Sequence, residues 1–192
     1  MITFVMIAGG LLPAVGRYMP FYLVAGAFIL TGGALMHTVT ATTSVSAIYG
    51  YEVLMAIGAG IGMQLMYAVA VVVVQPHEIM GAIGIMNTAQ IGSTAIALSI
   101  ANALFQNIGF QNLRDALAGR GFSEAEIRGA LAGANSALLT SSGEEVLGLA
   151  VNAIVDTMST IWILTIVAGA TGIVAAVCMK REKLVLVPGQ VG

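Results

Sequence analysis

The chain reads as an all-α, polytopic transmembrane helix bundle. Three observations point there: 58% of its 192 residues are hydrophobic, only 8% are charged, and the mean hydropathy is +0.97. A soluble domain carries about a quarter charged residues. Seven basic and nine acidic side chains are too few to cover the outside of a water-soluble protein of this size. Apolar runs near 20 residues match the length at which a helix crosses a bilayer core of about 30 Å. Helix is the required form, because a spanning segment must satisfy its own backbone hydrogen bonds and no run alternates as a barrel strand would.

About five spans follow in order. Residues 2–15 form a short one, without the basic leader of a signal peptide. Residues 21–39, 48–74, 82–105 and about 157–179 form full spans. Between them, residues 16–20 and 75–80 are tight turns and 40–47 is a small polar loop. Residues 106–156 hold Arg114, Asp115, Arg120, Glu124, Glu126, Arg128, Glu144, Glu145 and Asp156, more than half of all charges, and are expected as an amphipathic segment outside the hydrocarbon. The division is therefore four spans over residues 1–105, the extracytoplasmic segment 106–156, the last span 157–179 and a tail 180–192.

Within the polar segment, Ser123 and Glu126 have the spacing of a capping box, which predicts a short helix over residues 124–134. Leu113, Leu117, Ile127 and Leu131 give this region an apolar face, to lie on the membrane surface or on the helix ends. Arg17 and the group Lys180, Arg181 and Lys183 place the first turn and the carboxy terminus in the cytoplasm by the positive-inside rule. Tyr18, Tyr22, Tyr49, Tyr51 and Trp162 fall near span ends, as aromatic-belt residues do.

Residues with chemical potential are few. Asn87, Gln90 and Thr94 recur at helical spacing in span 82–105 and form one polar stripe at membrane depth. Polar groups there need partners, so the stripe either lines a substrate path or glues helices together. Gln64 is the strongly polar residue in the middle of its span, beside Met63 and Met66, and is a further path candidate. Gly58 and Gly62 make a GxxxG surface for close helix packing. Glu52 and Asp156 lie near helix ends. No catalytic residue, metal ligand set or cofactor motif is expected: Cys178 is a lone cysteine in an apolar run, His37 and His77 are separated, and hydrolase and nucleotide-loop signatures are missing. The net charge of −2 argues against a nucleic-acid partner; the bilayer is the expected surrounding.

Several stretches together resemble one family. Gly16-Arg17-Tyr18-Met19-Pro20-Phe21, Tyr49-Gly50-Tyr51-Glu52-Val53-Leu54 with Gly58-Ala59-Gly60-Ile61-Gly62, Ala89-Gln90-Ile91-Gly92-Ser93 and Asn102-Ala103-Leu104-Phe105-Gln106-Asn107 resemble, in order and spacing, the carboxy-terminal third of a fungal-type major facilitator superfamily transporter of the fourteen-helix drug:proton antiporter branch. Glutamine is that family's usual residue where Glu52 stands. The resemblance implies a partial carboxy-terminal half of such a transporter and proton-coupled efflux of hydrophobic small molecules. It also implies that an amino-terminal half, or another transporter chain, is the protein partner. The plasma membrane is the implied location, with the vacuolar membrane as the alternative. A competing reading is a truncated, non-transporting membrane protein that associates with or regulates a full-length transporter.

Overall fold

The computed structural model describes residues 17–133 and 143–179. The short span expected at residues 2–15 and the tail expected at 180–192 lie outside them. Among the described residues the chain forms six α-helices and no strand: α1 (Met19–His37), α2 (Val45–Val73), α3 (Ile79–Ala116), α4 (Glu124–Ala132), α5 (Glu144–Ile161) and α6 (Ile163–Cys178). Met19–His37, Val45–Ala70, Pro76–Ala116 and Glu144–Cys178 are each long and apolar enough to cross a membrane.

Local chemistry sets the helix ends. Pro20 stands in the first turn of α1, where its missing N–H leaves no bond unmade. After His37, the Thr38 hydroxyl donates to the Leu35 carbonyl at 2.7 Å and the Thr40 N–H donates to Thr43 Oγ1 at 2.9 Å, so the loop 38–44 satisfies its own polar groups. Pro76 opens a single 3-10 turn, Pro76–Glu78, that reverses the chain between α2 and α3. At the far end of α3, Gly119 (φ 78°) and Gly121 (φ 80°) supply the left-handed backbone that halts the helix. The Ser123–Glu126 capping box forms in both directions and starts α4.

Two boundaries differ from the sequence expectation. α3 continues eleven residues beyond the expected end at 105, to Ala116, and is 38 residues long, about 57 Å at 1.5 Å per residue. α5 begins at Glu144 rather than about 157. Polar residues such as Gln106, Asn107 and Gln111 lower the hydropathy, whereas a helix stops only where the backbone is turned, here at Gly119. Glu144 and Glu145 favour the α5 start through the helix dipole. Between α5 and α6 the helical path is interrupted at Trp162 alone. Just before it the Ser159 and Thr160 hydroxyls both donate to the Asp156 carbonyl, at 2.9 Å each, a back-bonding that bends helices.

The helices group in two sets. α1 lies between α2 and α6, at separations that glycine permits. A Cβ placed on Gly169 would lie 2.6 Å from the Leu30 backbone nitrogen, and one on Gly26 would lie 2.7 Å from Ile173 Cγ1. Gly32 and Gly33 also bring α1 close to its neighbours, a built Cβ lying 2.5 Å from Met55 Cγ of α2 and 3.1 Å from Thr165 Cγ2 of α6. The second set joins the carboxy-terminal part of α3 to α4 and α5. Its core is Leu113, Leu117, Ile127, Ala130, Leu131, Ala150 and Ala153, so the apolar face expected around α4 closes onto the ends of α3 and α5. Arg128 stacks on Phe110, 4.2 Å from the ring centre. Arg120 Nη2 donates to Glu145 Oε1 at 2.6 Å, tying the α3–α4 loop to the start of α5. Between the two sets, His37 Nδ1 donates to the Ser159 carbonyl at 2.7 Å.

Candidate uncharged groove on helix α3

The amino-terminal two-thirds of α3 touches few neighbours. From Ile91 to Ile100 every residue is exposed, and the packing of α2 on α3 is slight. Two chemically different faces result. Ile85, Ile96 and Ile100 are spaced by whole turns and form an apolar face. On the opposite side an open groove of about 480 Å³ is lined by Asn87, Gln90, Ile91, Thr94, Ala95 and Leu98.

The structure brings Asn87, Gln90 and Thr94 together in this groove and adds a residue that sequence reasoning missed. Tyr67 of α2 donates its hydroxyl to Asn87 Oδ1 and, at 3.2 Å, to Gln90 Oε1. Its signal was available: a phenol inside an apolar span, six residues before the helix ends at Val73, must find a hydrogen-bond partner. With both amide oxygens engaged by Tyr67, the amide NH2 groups of Asn87 and Gln90 make no hydrogen bond among the described residues. Thr94 differs, since its hydroxyl donates to the Gln90 carbonyl at 2.8 Å within its own helix. The groove therefore offers hydrogen-bond donors and apolar wall, and none of its lining residues is ionisable. Such a surface can bind and orient a neutral solute, but it holds no acid, base or nucleophile.

Gln64 lies on α2, but its side chain is outside the described residues. Of the two expected packing glycines, Gly58 meets α1, its built Cβ lying 2.7 Å from the Ala25 carbonyl oxygen, whereas nothing described lies within 4 Å of one built on Gly62. Close approach is carried also by Gly26, Gly32, Gly33 and Gly169, which the GxxxG pattern did not single out. Among the described residues no group of three metal-ligating side chains occurs.

Comparison with known proteins adds an independent line. No family model matches the chain, and no solved structure does. The chain is 37% identical over 172 residues to the efflux pump patC of Aspergillus clavatus, covering 90% of this chain and 31% of that protein. It is 34% identical over 182 residues to the MFS-type transporter patC of Penicillium expansum, covering 93% and 33%. It is 33% identical over 189 residues to the efflux pump alnA of Emericella nidulans, covering 96% and 33%. The chain thus spans about a third of the length of the curated relatives it matches.

Proposed function

The chain belongs to the major facilitator superfamily, and on that premise we propose that it supplies the carboxy-terminal helices of a fourteen-helix efflux transporter, with the α3 groove on its cargo path. The observation that carries this reading is the Tyr67–Asn87–Gln90 cluster. Asn87 and Gln90 of α3 and Tyr67 of α2 meet on the side of α3 that forms a groove, while the opposite face of α3 is isoleucine. Their geometry favours a cargo: a neutral hydrophobic small molecule with carbonyl or ether acceptors for the free amide NH2 groups. The relatives named as efflux pumps support export as the direction. Coupling to protons rests on the family resemblance and belongs to carboxylates elsewhere in a complete transporter, since the groove has none.

In this reading the chain is an integral membrane protein of the plasma membrane, with the vacuolar membrane as the alternative. Arg17 and the basic residues after α6 face the cytoplasm, and the α3–α4 loop with α4 stands outside. Asn87, Gln90 and Thr94, together with Gln64, face the path, and the remaining transporter helices and lipid cover the rest of α3.

The test is a chimera in which this chain replaces the matching third of the A. clavatus relative, expressed in yeast cells stripped of their own pumps. Energised export of Nile red, a neutral dye with a carbonyl acceptor, abolished by Gln90→Leu at unchanged protein level, is the expected result. Export that is indifferent to Gln90→Leu would make the cluster helix glue, worth about 0.6 kcal/mol per bond. A chimera that reaches the membrane and exports nothing would favour the non-transporting reading.

A further inference from the structure

The groove on α3 has a continuation. A second cleft, of about 320 Å³, opens where α3 crosses the α5–α6 junction, walled by Leu98, Asn102 and Phe105 of α3 and by Met158, Ile161 and Trp162. Leu98 lines both clefts. Asn87, Gln90, Thr94, Leu98, Asn102 and Phe105 follow one another at three- and four-residue steps, so they share one side of the helix. The fifteen helical steps from Asn87 to Asn102 make a track about 22 Å long, leading outward toward the α3–α4 lobe.

The chemistry changes along that track. Its inner end carries the Tyr67-bridged amides, whereas the outer cleft is apolar and soft except for two polar groups, the Asn102 amide and the Trp162 indole N–H. Neighbouring amides are committed: Asn107 bonds the Ala103 carbonyl and Asn112 bonds Thr157 Oγ1. The Asn102 and Trp162 side chains make no hydrogen bond among the described residues. Trp162 is also the residue at which the α5–α6 helix breaks, so the break itself holds the indole in the wall. A cleft of this size, mostly apolar with a few uncommitted polar groups, has the make-up of a small-molecule pocket.

We propose that the outer cleft is a second cargo station on the path. It takes the flat apolar part of a neutral amphipathic solute between Phe105, Met158 and Trp162, and Asn102 hydrogen-bonds one polar substituent. Asn102 is then a specificity-determining residue, selecting solutes whose acceptor sits at the edge of an aromatic or alicyclic body. The inference rests on the cargo-path reading of the inner groove.

Trp162 is the single tryptophan of the chain, so its fluorescence reports this cleft alone. The full chain in lipid nanodiscs is titrated with methyl 4-bromobenzoate, a neutral contact quencher with an ester acceptor, and with 4-bromotoluene, which lacks the acceptor. Saturable quenching by the ester is expected, with Asn102→Leu raising its half-saturation about tenfold and leaving 4-bromotoluene unchanged. Asn102→Gln should restore most of the ester's affinity. Non-saturating quenching, identical in the parent and Asn102→Leu, would overturn the proposal and make Trp162 an ordinary interface anchor. Strong quenching by lipids brominated on the acyl chain, not relieved by the ester, would overturn it in favour of a lipid-filled cleft. Gln90→Leu tells the two readings apart. If the export chimera needs Gln90 but Trp162 binds nothing saturably, the outer station falls and the path reading survives. If Trp162 binds the ester while export ignores Gln90, the site stands and its link to a path is lost.

Discussion

The two ends of α3 are built on opposite terms. Around Gly109, Leu113 and Leu117 the helix is locked to α4 and α5 by a core whose members, from Leu113 and Ala150 at 0% to Leu131 at 7% exposure, make a small packed lobe. Between Ile79 and Phe105 none of its residues is buried, and the hydrogen bonds that leave the helix there run to Tyr67. The contrast separates stability from function within one helix. Where apolar side chains meet side chains of the same chain, the helix is held in place; where they do not, it presents a bare apolar face and a polar groove to whatever surrounds it.

The largest expected effect lies in the lobe. Leu113→Ala removes a fully buried side chain and should destabilise it by about 2–5 kcal/mol, read as a lowered melting midpoint in detergent and faster amide exchange in α4. The same truncation at Ile96, on the exposed apolar face, should leave the midpoint nearly unchanged. Equal losses at both sites would dissolve the contrast.

Next in size is the glycine packing of the first helix set. Gly169→Ala puts a methyl group against the Leu30 backbone, which cannot swing aside as a flexible side chain can, and should cost about 1–3 kcal/mol. Gly62→Ala, with open space around it, should be neutral or slightly stabilising through helix propensity.

Smaller again is the polar tie beneath the lobe. Asn112→Leu loses the 3.0 Å bond to Thr157 Oγ1, while Thr157 keeps its own bond to the Ala153 carbonyl at 2.8 Å. The loss should be about 1 kcal/mol.

The least is a pH effect on α4. Hydrogen bonds from the Ser123 side chain and backbone hold the Glu126 carboxyl below its ordinary value. A lowered native pKa means that this contribution is present above the unfolded carboxylate's range and is lost as pH falls through the native value. Amide exchange in residues 124–132 should therefore quicken relative to α3 on acidification, and Glu126→Gln should remove the difference.

How far the sequence could be read follows the same division. The spans were legible because hydrophobic length is a one-dimensional property, and α4 was legible because Ser123 and Glu126 satisfy each other locally. The extension of α3 to Ala116 was not, since the loss of hydrophobicity after residue 105 says nothing of the backbone, which turns only at Gly119. Gly58 and Gly62 look alike in sequence; only a partner helix distinguishes the one against Ala25 from the one facing open space. The stripe of Asn87, Gln90 and Thr94 was visible by spacing, but Tyr67 comes from another helix and needed the fold to bring it there.

The central claim is that the inner part of α3 turns its polar face to a solute path and its isoleucine face to lipid. In the chimera, with Cys178→Ser to remove the native thiol, single cysteines at Gln90, Thr94, Ile85 and Ile96 would be challenged with a water-soluble maleimide. The account predicts that Gln90→Cys and Thr94→Cys react, and are protected by an exported solute, while Ile85→Cys and Ile96→Cys stay unlabelled. Labelling at the isoleucine positions, or solute-independent silence at Gln90 and Thr94, would contradict it.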